Sequence, residues 1–359
     1  MILTQSVEET KKNFMKWWRG EDFGRPLINL MSSPKKPPKQ GETRTQSDIL
    51  DAERAYSRAK ARYEATTLYG DTLPFSGLSV GVGGMPIFLG CEPVFAESTT
   101  WVKPMVDEGI GISSLGKLTY DENNRWWKEY LFQLTRLAEL CREDGIFLTV
   151  PDILENLDVL GLLCGSQNMC YYLMDEPELV KEYVHQTDDL YFEYYERIYD
   201  IIKGRDGDSS CIFNIWSEKR TLKVQSDVSV FLSSTQFREL VIPSLEKQLS
   251  KIDYSLYHLD GPDAIRHLDD VLSLERLTAL QFTPGDGNPS PEKEEWYPIY
   301  DKVRKAGKSL WVFLTGDDPI NDSRKLVNRY GTAGLYLLYQ NKDEELAKRI
   351  FEEADKGFR

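Results

Sequence analysis

The sequence predicts an α/β protein, a (β/α)8 TIM barrel with an N-terminal helical extension and a small insertion at the barrel mouth. Three observations lead to this prediction. Residues 221–289 alternate short apolar runs with helical patterns, which is typical of a parallel sheet with helical crossovers. Each apolar run stops at a polar cluster, and barrels of this type place their active sites at such strand ends. The chain of 359 residues can hold a barrel of about 250 residues together with insertions.

The elements of the N-terminal half follow from the spacing of apolar residues and glycines. We predict, in order, a helix, a first barrel strand, a second helix, a glycine-rich strand end and an insertion with hairpins: 6–18, 25–30, 46–68, 77–84 and about 85–120. The first strand runs into a Pro- and Lys-rich loop at 31–39, which we interpret as solvated, although its lysines could attract an anion. We expect a single domain over residues 1–359.

The C-terminal half carries the more regular pattern. Helices are predicted over 123–142, 158–173, 177–203, 233–252 and 343–355, and Ser233 with Gln236 forms a capping box. Strands are predicted over 146–150, 210–216, 222–226, 254–258, 277–283, 309–314 and 334–338. With the N-terminal candidates this gives about nine strands for eight barrel places, so at least one is an addition to the barrel.

Composition excludes several function classes. The net charge of −14 disfavours nucleic acids and anionic membrane surfaces as partners. No apolar run approaches the roughly 20 residues of a membrane span, and the N-terminus lacks a signal-peptide pattern, so we expect a cytoplasmic protein. The five cysteines form no C-x-x-C pair and are interpreted as scattered reduced thiols.

The sharpest candidate constellation is His258 with Asp260. Residues i and i+2 of a strand point to the same side, so both side chains can face one pocket at the end of the strand. Imidazole nitrogen and carboxylate oxygen are competent ligands for zinc and other divalent metals. The third ligand of such a site could come from Asp227, Asp286 or Gln340. Alternatively, His258 and Asp260 bond each other or a substrate without a metal.

Further polar and aromatic residues are expected around the same mouth. Asp227 joins His258 and Asp260 as a catalytic candidate, because crowded carboxylates can hold a proton near neutral pH. Candidate substrate-binding residues are Asp152, Glu155, Gln281, Asp286, Trp311 and Gln340. Asp286 has an alternative role in holding its Pro-Gly-Asp-Gly-Asn turn. An acidic, aromatic mouth would also suit sugar cleavage by paired carboxylates.

Two motifs resemble the uroporphyrinogen decarboxylase superfamily over residues of about 140–350. The first comprises Asp227, Leu232, Ser233, Phe237, Glu239, Val241 and Pro243, followed by His258-Leu259-Asp260-Gly261. The second comprises 161–168 and the Met-Asp-Glu-Pro-Glu-Leu-Val segment at 174–180. The resemblance implies a TIM barrel, and it is closer to the cobalamin and coenzyme M methyltransferases than to the true decarboxylases, because the R-Q-A-G-R motif is absent after the first strand.

The resemblance also implies cofactors, from which this chain departs. In the methyltransferases a His, a Cys two residues later and a Cys near the last strand bind a zinc that activates a thiol. Here Asp260 replaces the first Cys, and 334–340 contains none, so a harder site with oxygen and nitrogen ligands is expected.

The expected function is methyl transfer between a corrinoid or a methylated small molecule and an acceptor. Its expected partners are a small-molecule substrate and a corrinoid protein, with a homodimer as the oligomeric state. Two alternatives remain open: a decarboxylase or other lyase of a small carboxylic acid, and a non-catalytic small-molecule-binding barrel.

Overall fold

The computed structural model describes residues 1–32, 45, 49–81, 83–96 and 99–358. The helices are α1 (Val7–Trp18), α2 (Ala52–Glu64), α3 (Gly84–Phe88), α4 (Arg125–Glu143), α5 (Asn156–Cys164), α6 (Ser166–Asp175), α7 (Pro177–Ile202), α8 (Ile242–Ser250), α9 (Leu268–Leu272), α10 (Tyr297–Lys305), α11 (Pro319–Tyr330) and α12 (Glu344–Asp355). The strands are β1 (Ile2–Leu3), β2 (Leu27–Met31), β3 (Thr67–Gly70), β4 (Phe75–Ser76), β5 (Glu92–Phe95), β6 (Thr100–Lys103), β7 (Phe147–Val150), β8 (Ser209–Cys211), β9 (Ile215–Ser217), β10 (Thr221–Val224), β11 (Tyr254–Asp260), β12 (Ala279–Thr283), β13 (Ser309–Leu314) and β14 (Leu335–Tyr339).

The strands form a barrel-like α/β arrangement built from two main sheets. The larger sheet has eight strands in the order β1-β3-β2-β14-β13-β12-β11-β10, and the smaller has the order β4-β7-β8-β9. Every neighbouring pair of the larger sheet is parallel except β2 with β3. Among the described residues no hydrogen-bonded ladder joins the two sheets, so the predicted barrel is not seen as one continuous closed sheet.

Helix α1 packs against the amino-terminal ends of the strands of the larger sheet. The Trp17 indole nitrogen donates to the Leu310 carbonyl, and Ser309 Oγ donates to the Trp17 carbonyl. Phe14 and Trp17 both pack edge-on against Tyr336. The predicted N-terminal helix therefore closes the end of the sheet opposite to the predicted site, and it leaves the carboxyl-terminal edge for function.

The strand predicted over 210–216 is wrong in one respect. It is a tight hairpin, β8–β9, because Phe213 and Asn214 adopt positive φ angles of 69° and 54° and reverse the chain. Its first strand, β8, pairs parallel with β7, so β9 is the added antiparallel strand. β10 follows as a separate strand parallel to β11.

Several other boundaries differ from prediction. The helix predicted over 46–68 is shorter, and its end is replaced by β3; residues 46–48 and most of the predicted loop 31–39 lie outside the described residues. The helix predicted over 158–173 is two helices, since Gly165 has a φ of 83° between α5 and α6. Helix 233–252 begins with the predicted Ser233–Gln236 capping box and contains a π-helical turn, Phe237–Val241, before α8.

The predicted insertion and the predicted free cysteines agree with the described residues. The insertion near 85–120 contains the antiparallel hairpin β5–β6. All five cysteines are free thiols, and burial raises the pKa of Cys91, Cys141, Cys164 and Cys211 to about 12. Among the described helices, none has both the length and the apolar character needed to cross a membrane.

Candidate functional site

The site is built on one row of side chains across the parallel sheet. His258 on β11 is level with Gln281 on β12, Gln281 with Trp311 on β13, and Trp311 with Tyr336 on β14. Neighbours in a sheet register lie on the same face, so the four side chains line one surface. Asp260 follows His258 by two residues on β11, so it lies nearer to the carboxyl-terminal edge, beside Thr283.

Gln281 fixes the tautomer of His258. Its amide nitrogen donates to Thr283 Oγ1 at 2.8 Å, which turns the amide oxygen toward His258 Nδ1 in a short hydrogen bond. Nδ1 therefore carries the proton, and Nε2 keeps a lone pair. Burial, reinforced by the Lys223 charge, lowers the pKa of His258, so the imidazole is neutral at physiological pH. A neutral imidazole with one oriented nitrogen is the form that ligates metals.

Asp227, His258 and Asp260 converge on one point. One ligand atom from each lies within 4.8 Å of the other two. Asp227 enters from the start of a 3-10 turn, Asp227–Phe231, that follows β10, whereas the other two come from β11. We call these three residues the ligand triad.

The other two candidates for the third ligand lie elsewhere. Asp286 is exposed in the turn after β12, where Gly285 and Gly287 have φ angles of 78° and 79°, in keeping with a turn-holding role. Gln340 is exposed after β14, and its backbone N–H donates to the Leu314 carbonyl. Neither shows a side-chain bond to the ligand triad among the described residues.

Three more carboxylates form an inner layer, and each has its own donors. Asp152 accepts from the Lys223 ammonium at 2.6 Å, and Glu155 accepts from the Gln225 backbone N–H at 2.6 Å. Asp158 accepts from the backbone N–H groups of residues 227 and 228, both at 2.9 Å. Glu155 is only 1% exposed, so it lies behind the surface that a substrate would touch.

The site also contains three polar residues that the sequence motifs do not indicate: Lys223, Gln225 and Asp158. The Gln225 amide nitrogen donates to Asp227 Oδ2 at 2.9 Å and to Asp158 Oδ2 at 3.2 Å, so it links the inner layer to the ligand triad. A signal was present, because Lys223 and Gln225 alternate with Leu222 and Val224 in a buried run. Polar residues at i and i+2 of a buried strand indicate a shared polar surface.

Burial is the main cause of the raised pKa values of Glu155, Asp158 and Asp227. Burial, and then the charge of Asp227, raises the pKa of Asp158, while burial raises the pKa of Glu155 well above its usual value. Desolvation also raises the pKa of Asp227, helped by Asp260 and opposed by Lys223, although the Asp227 side chain reaches solvent at the cleft. Among the described residues the site has more carboxylates than ammonium groups, and the raised pKa values favour protonation of some of these carboxylates.

The hairpin tip reaches the site from the smaller sheet. The Phe213 ring lies 5.1 Å from the His258 ring, and the Trp311 indole nitrogen donates to the Phe213 carbonyl at 3.2 Å. Tyr336 Oη donates to the Asn214 carbonyl at 2.8 Å. Trp311, predicted to bind substrate, is only 4% exposed and instead anchors this tip. A cavity of about 460 Å³ lies beyond the tip, and Phe213 forms part of its wall.

Strained backbone concentrates around these residues. Leu154 and Asn156, on either side of Glu155, have φ angles of 64° and 46°, and Phe213 and Asn214 also lie in the left-handed region. Four of the five non-glycine residues with positive φ among the described residues therefore adjoin the site. Such strain persists where surrounding contacts impose it, which is common at functional sites.

Comparison with known proteins identifies the fold without a family. No protein-family model matches the chain, and no curated protein matches it. A methyltransferase from Methanosarcina mazei has a similar structure, with a TM-score of 0.60 and 12% sequence identity over 97% of this chain and 98% of that one. An HpcH/HpaI aldolase from Desulfitobacterium hafniense matches with a TM-score of 0.24 and 13% identity, over 62% of this chain and 75% of that one, too low to carry an argument. The first similarity shows that the α/β fold is shared over nearly the whole chain.

Proposed function

We propose that the protein is a methyltransferase that binds a divalent metal at the ligand triad. The observation that carries this proposal is the convergence of Asp227, His258 and Asp260 within 4.8 Å, with the free nitrogen of His258 oriented by Gln281. The shared fold with a methyltransferase and the sequence resemblance support the reaction class. The resemblance alone supplies the corrinoid as methyl donor or acceptor.

The donor set of the triad fits a metal. It offers one neutral imidazole nitrogen and two carboxylate oxygens, and no cysteine belongs to it. Three protein ligands with room for substrate are typical of catalytic rather than structural zinc sites. The absence of sulfur favours harder coordination than the zinc–thiolate site of the methyltransferases that the sequence resembles.

Each residue has a definite task in this proposal. A bound divalent cation would act as a Lewis acid that polarises the substrate heteroatom which gives or receives the methyl group. Gln281 holds the His258 ring in one tautomer, and Asp158 fixes the backbone from which Asp227 projects. Phe213 packs against the imidazole, with 5.1 Å between the two ring centroids. A substrate whose methyl group is bound to oxygen or nitrogen suits such a site better than a thiolate substrate does.

A decarboxylase is the weaker alternative. A small carboxylic acid needs a cationic partner in the cleft. Lys223, the one ammonium that the described residues place within the site, is 2% exposed and paired with Asp152. A binding protein without catalysis would bind its ligand with no turnover, which the experiment below distinguishes.

The test combines metal analysis with a corrinoid assay. Purified protein should contain close to one divalent metal per chain, and cob(I)alamin spectra should report methyl transfer from a panel of O-, N- and S-methyl compounds. His258→Ala should lose both. His185→Ala is the matched control, because His185 is exposed on α7 and should leave both unchanged. Substoichiometric metal after reloading, or zinc with sulfur in its first shell by X-ray absorption, contradicts the proposal.

A further inference from the structure

Lys223 is an ammonium buried next to the ligand triad. Only 2% of its side chain is exposed, against 29% for its partner Asp152, 2.6 Å away. It also donates to the Gln225 amide oxygen. Burial would lower the pKa of Lys223, but Asp152 and Glu155 outweigh it, so the pKa is raised and the ammonium stays charged.

Two of the three inner carboxylates are held in place by backbone N–H groups. Glu155 and Asp158 are buried and bonded to backbone N–H groups. Asp152 is different, because it is partly exposed and is joined to Asp227 through hydrogen bonds from Lys223 and Gln225. Asp152 is therefore the partly exposed inner carboxylate that this chain of hydrogen bonds places next to the triad, and among the described residues Lys223 and the Leu154 N–H engage its oxygens.

We propose that Lys223 sets the coordination of the metal site: by holding Asp152 in an ion pair, it limits the site to three protein ligands and leaves a position for substrate. This inference rests on the metal site of the proposed function and assigns a positioning residue to it. Lys223 touches neither substrate nor metal. It acts through Asp152, and its positive charge also keeps the divalent-cation affinity moderate.

The sign of the effect separates this role from a merely structural one. In Lys223→Met, Asp152 is released as an uncompensated carboxylate beside the triad, so cation affinity should rise by about tenfold or more. In Asp152→Asn, the ammonium remains without its counter-charge, so affinity should fall. Adding Lys223→Met to Asp152→Asn removes that ammonium and should restore affinity by about tenfold. A structural role predicts that every one of these variants binds more weakly.

The experiment is calorimetric titration of the metal-free full-length protein with Co²⁺ and Zn²⁺. Lys308→Met is the matched control for loss of a buried ammonium, since Lys308 is 8% exposed and donates to the Leu274 and Glu275 carbonyls away from the site. It should lose stability and keep its metal affinity. His258→Ala should abolish binding and so assign the measured heat to the triad.

The outcomes separate the two proposals. Weaker or unchanged binding in a folded Lys223→Met variant, with binding intact in the wild type, overturns the role of Lys223 alone. Absence of binding in the wild type and in Lys223→Met overturns the metal site and this inference together. If Lys223→Met does not fold, Asp152→Asn and the double variant decide, because equal affinities in those two variants overturn the inference.

Discussion

At the residue scale, His258 is the side chain on which the site depends. It stands at the carboxyl-terminal edge, half-buried, with Phe213 on one face and Gln281 at Nδ1. His258→Ala should leave the fold intact, because the residue contributes little to the core. Ligand binding or catalysis should fall by at least about tenfold, the loss expected for one good charge-assisted contact.

Asp260 should act as a unit with His258. Asp260→Asn should weaken the same activity, and the double variant should lose less than the sum of the two single losses, since both residues serve one bound group. Circular dichroism and thermal unfolding check the fold, and the binding or activity assay of the two single variants and the double variant gives the double-mutant cycle. A His258→Ala variant that unfolds, with full activity in any folded fraction, would show a structural role and move the search to Asp152, Glu155 and Asp227.

The sequence predicts that His258 and Asp260 lie on the same face of β11, but it does not predict how deeply the neighbouring carboxylates are buried. The i, i+2 spacing places both side chains on one side of β11. Whether Asp152 and Glu155 touch substrate depends on the turn between β7 and α5, where Leu154 and Asn156 take left-handed φ angles. Such angles are rare for leucine and follow from tertiary contacts, so no local pattern indicates them.

Asp188 gives a stability prediction outside the site. It is 2% exposed on α7 and accepts from Ser244 Oγ, and burial raises its pKa to about 6. A raised carboxylate pKa adds stability below the unfolded value near 4, and this stability is lost as the pH rises through 6. Asp188→Asn should therefore exceed wild type by about 1–2 kcal/mol at pH 7.5 and equal it at pH 4.

Thermal unfolding at the two pH values tests this prediction. Asp189→Asn is the matched control, because that neighbouring carboxylate is 76% exposed and pairs with Lys247 at the surface. It should change the melting temperature little at either pH. If Asp188→Asn is destabilised equally at both pH values, the prediction is wrong, because burial then does not destabilise the ionised form of Asp188.

At the element scale, the hairpin β8–β9 is the place where the structure differs from the strand that the sequence pattern predicts. Residues 210–216 are a mostly apolar run of the length of a strand, and no Gly or Pro interrupts them. The reversal at Phe213 is stabilised by remote donors, Trp311 and Tyr336, which bond the two carbonyls of the tip. A sequence window cannot contain those partners, so a single strand was the reasonable local prediction.

Phe213→Ala tests whether the tip supports the site. Loss of the ring removes packing on His258 and Trp311 and should cost about 1–3 kcal/mol of stability. Metal binding at the triad should weaken as well, because the imidazole loses its cover. Phe231→Ala is the control, since that ring is 59% exposed and should change neither quantity. If the two substitutions have equal effects, the tip of the hairpin has no role in positioning His258.

At the scale of the whole molecule, the parallel strands from β10 to β14 were predictable and their closure was not. Each of these strands is a short apolar run that ends in polar residues, which specifies type and direction locally. Closure depends on how β2, β3 and β4 are arranged, and β2 pairs antiparallel with β3 instead of with β4. That pairing depends on two-residue and four-residue strands, too short to leave a periodic signal.

The distribution of charge predicts that uroporphyrinogen is not a substrate. That molecule carries eight carboxylates and needs several cationic partners. Here the net charge is −14, the site has more carboxylates than cations, and Lys223 is already paired. Arg58 and Arg62 line the neighbouring cavity, but two guanidinium groups can balance only a small part of such a charge. The lysines of 31–39, which lie largely outside the described residues, stand in a Pro-rich segment without the arginine motif of the true decarboxylases.

Incubation with uroporphyrinogen under reducing conditions should therefore give no coproporphyrinogen above the enzyme-free rate, as measured by fluorescence after chromatography. An authentic uroporphyrinogen decarboxylase run in parallel verifies the substrate. Coproporphyrinogen formation that disappears in His258→Ala would refute the prediction, because it would assign decarboxylation to this site despite its negative charge.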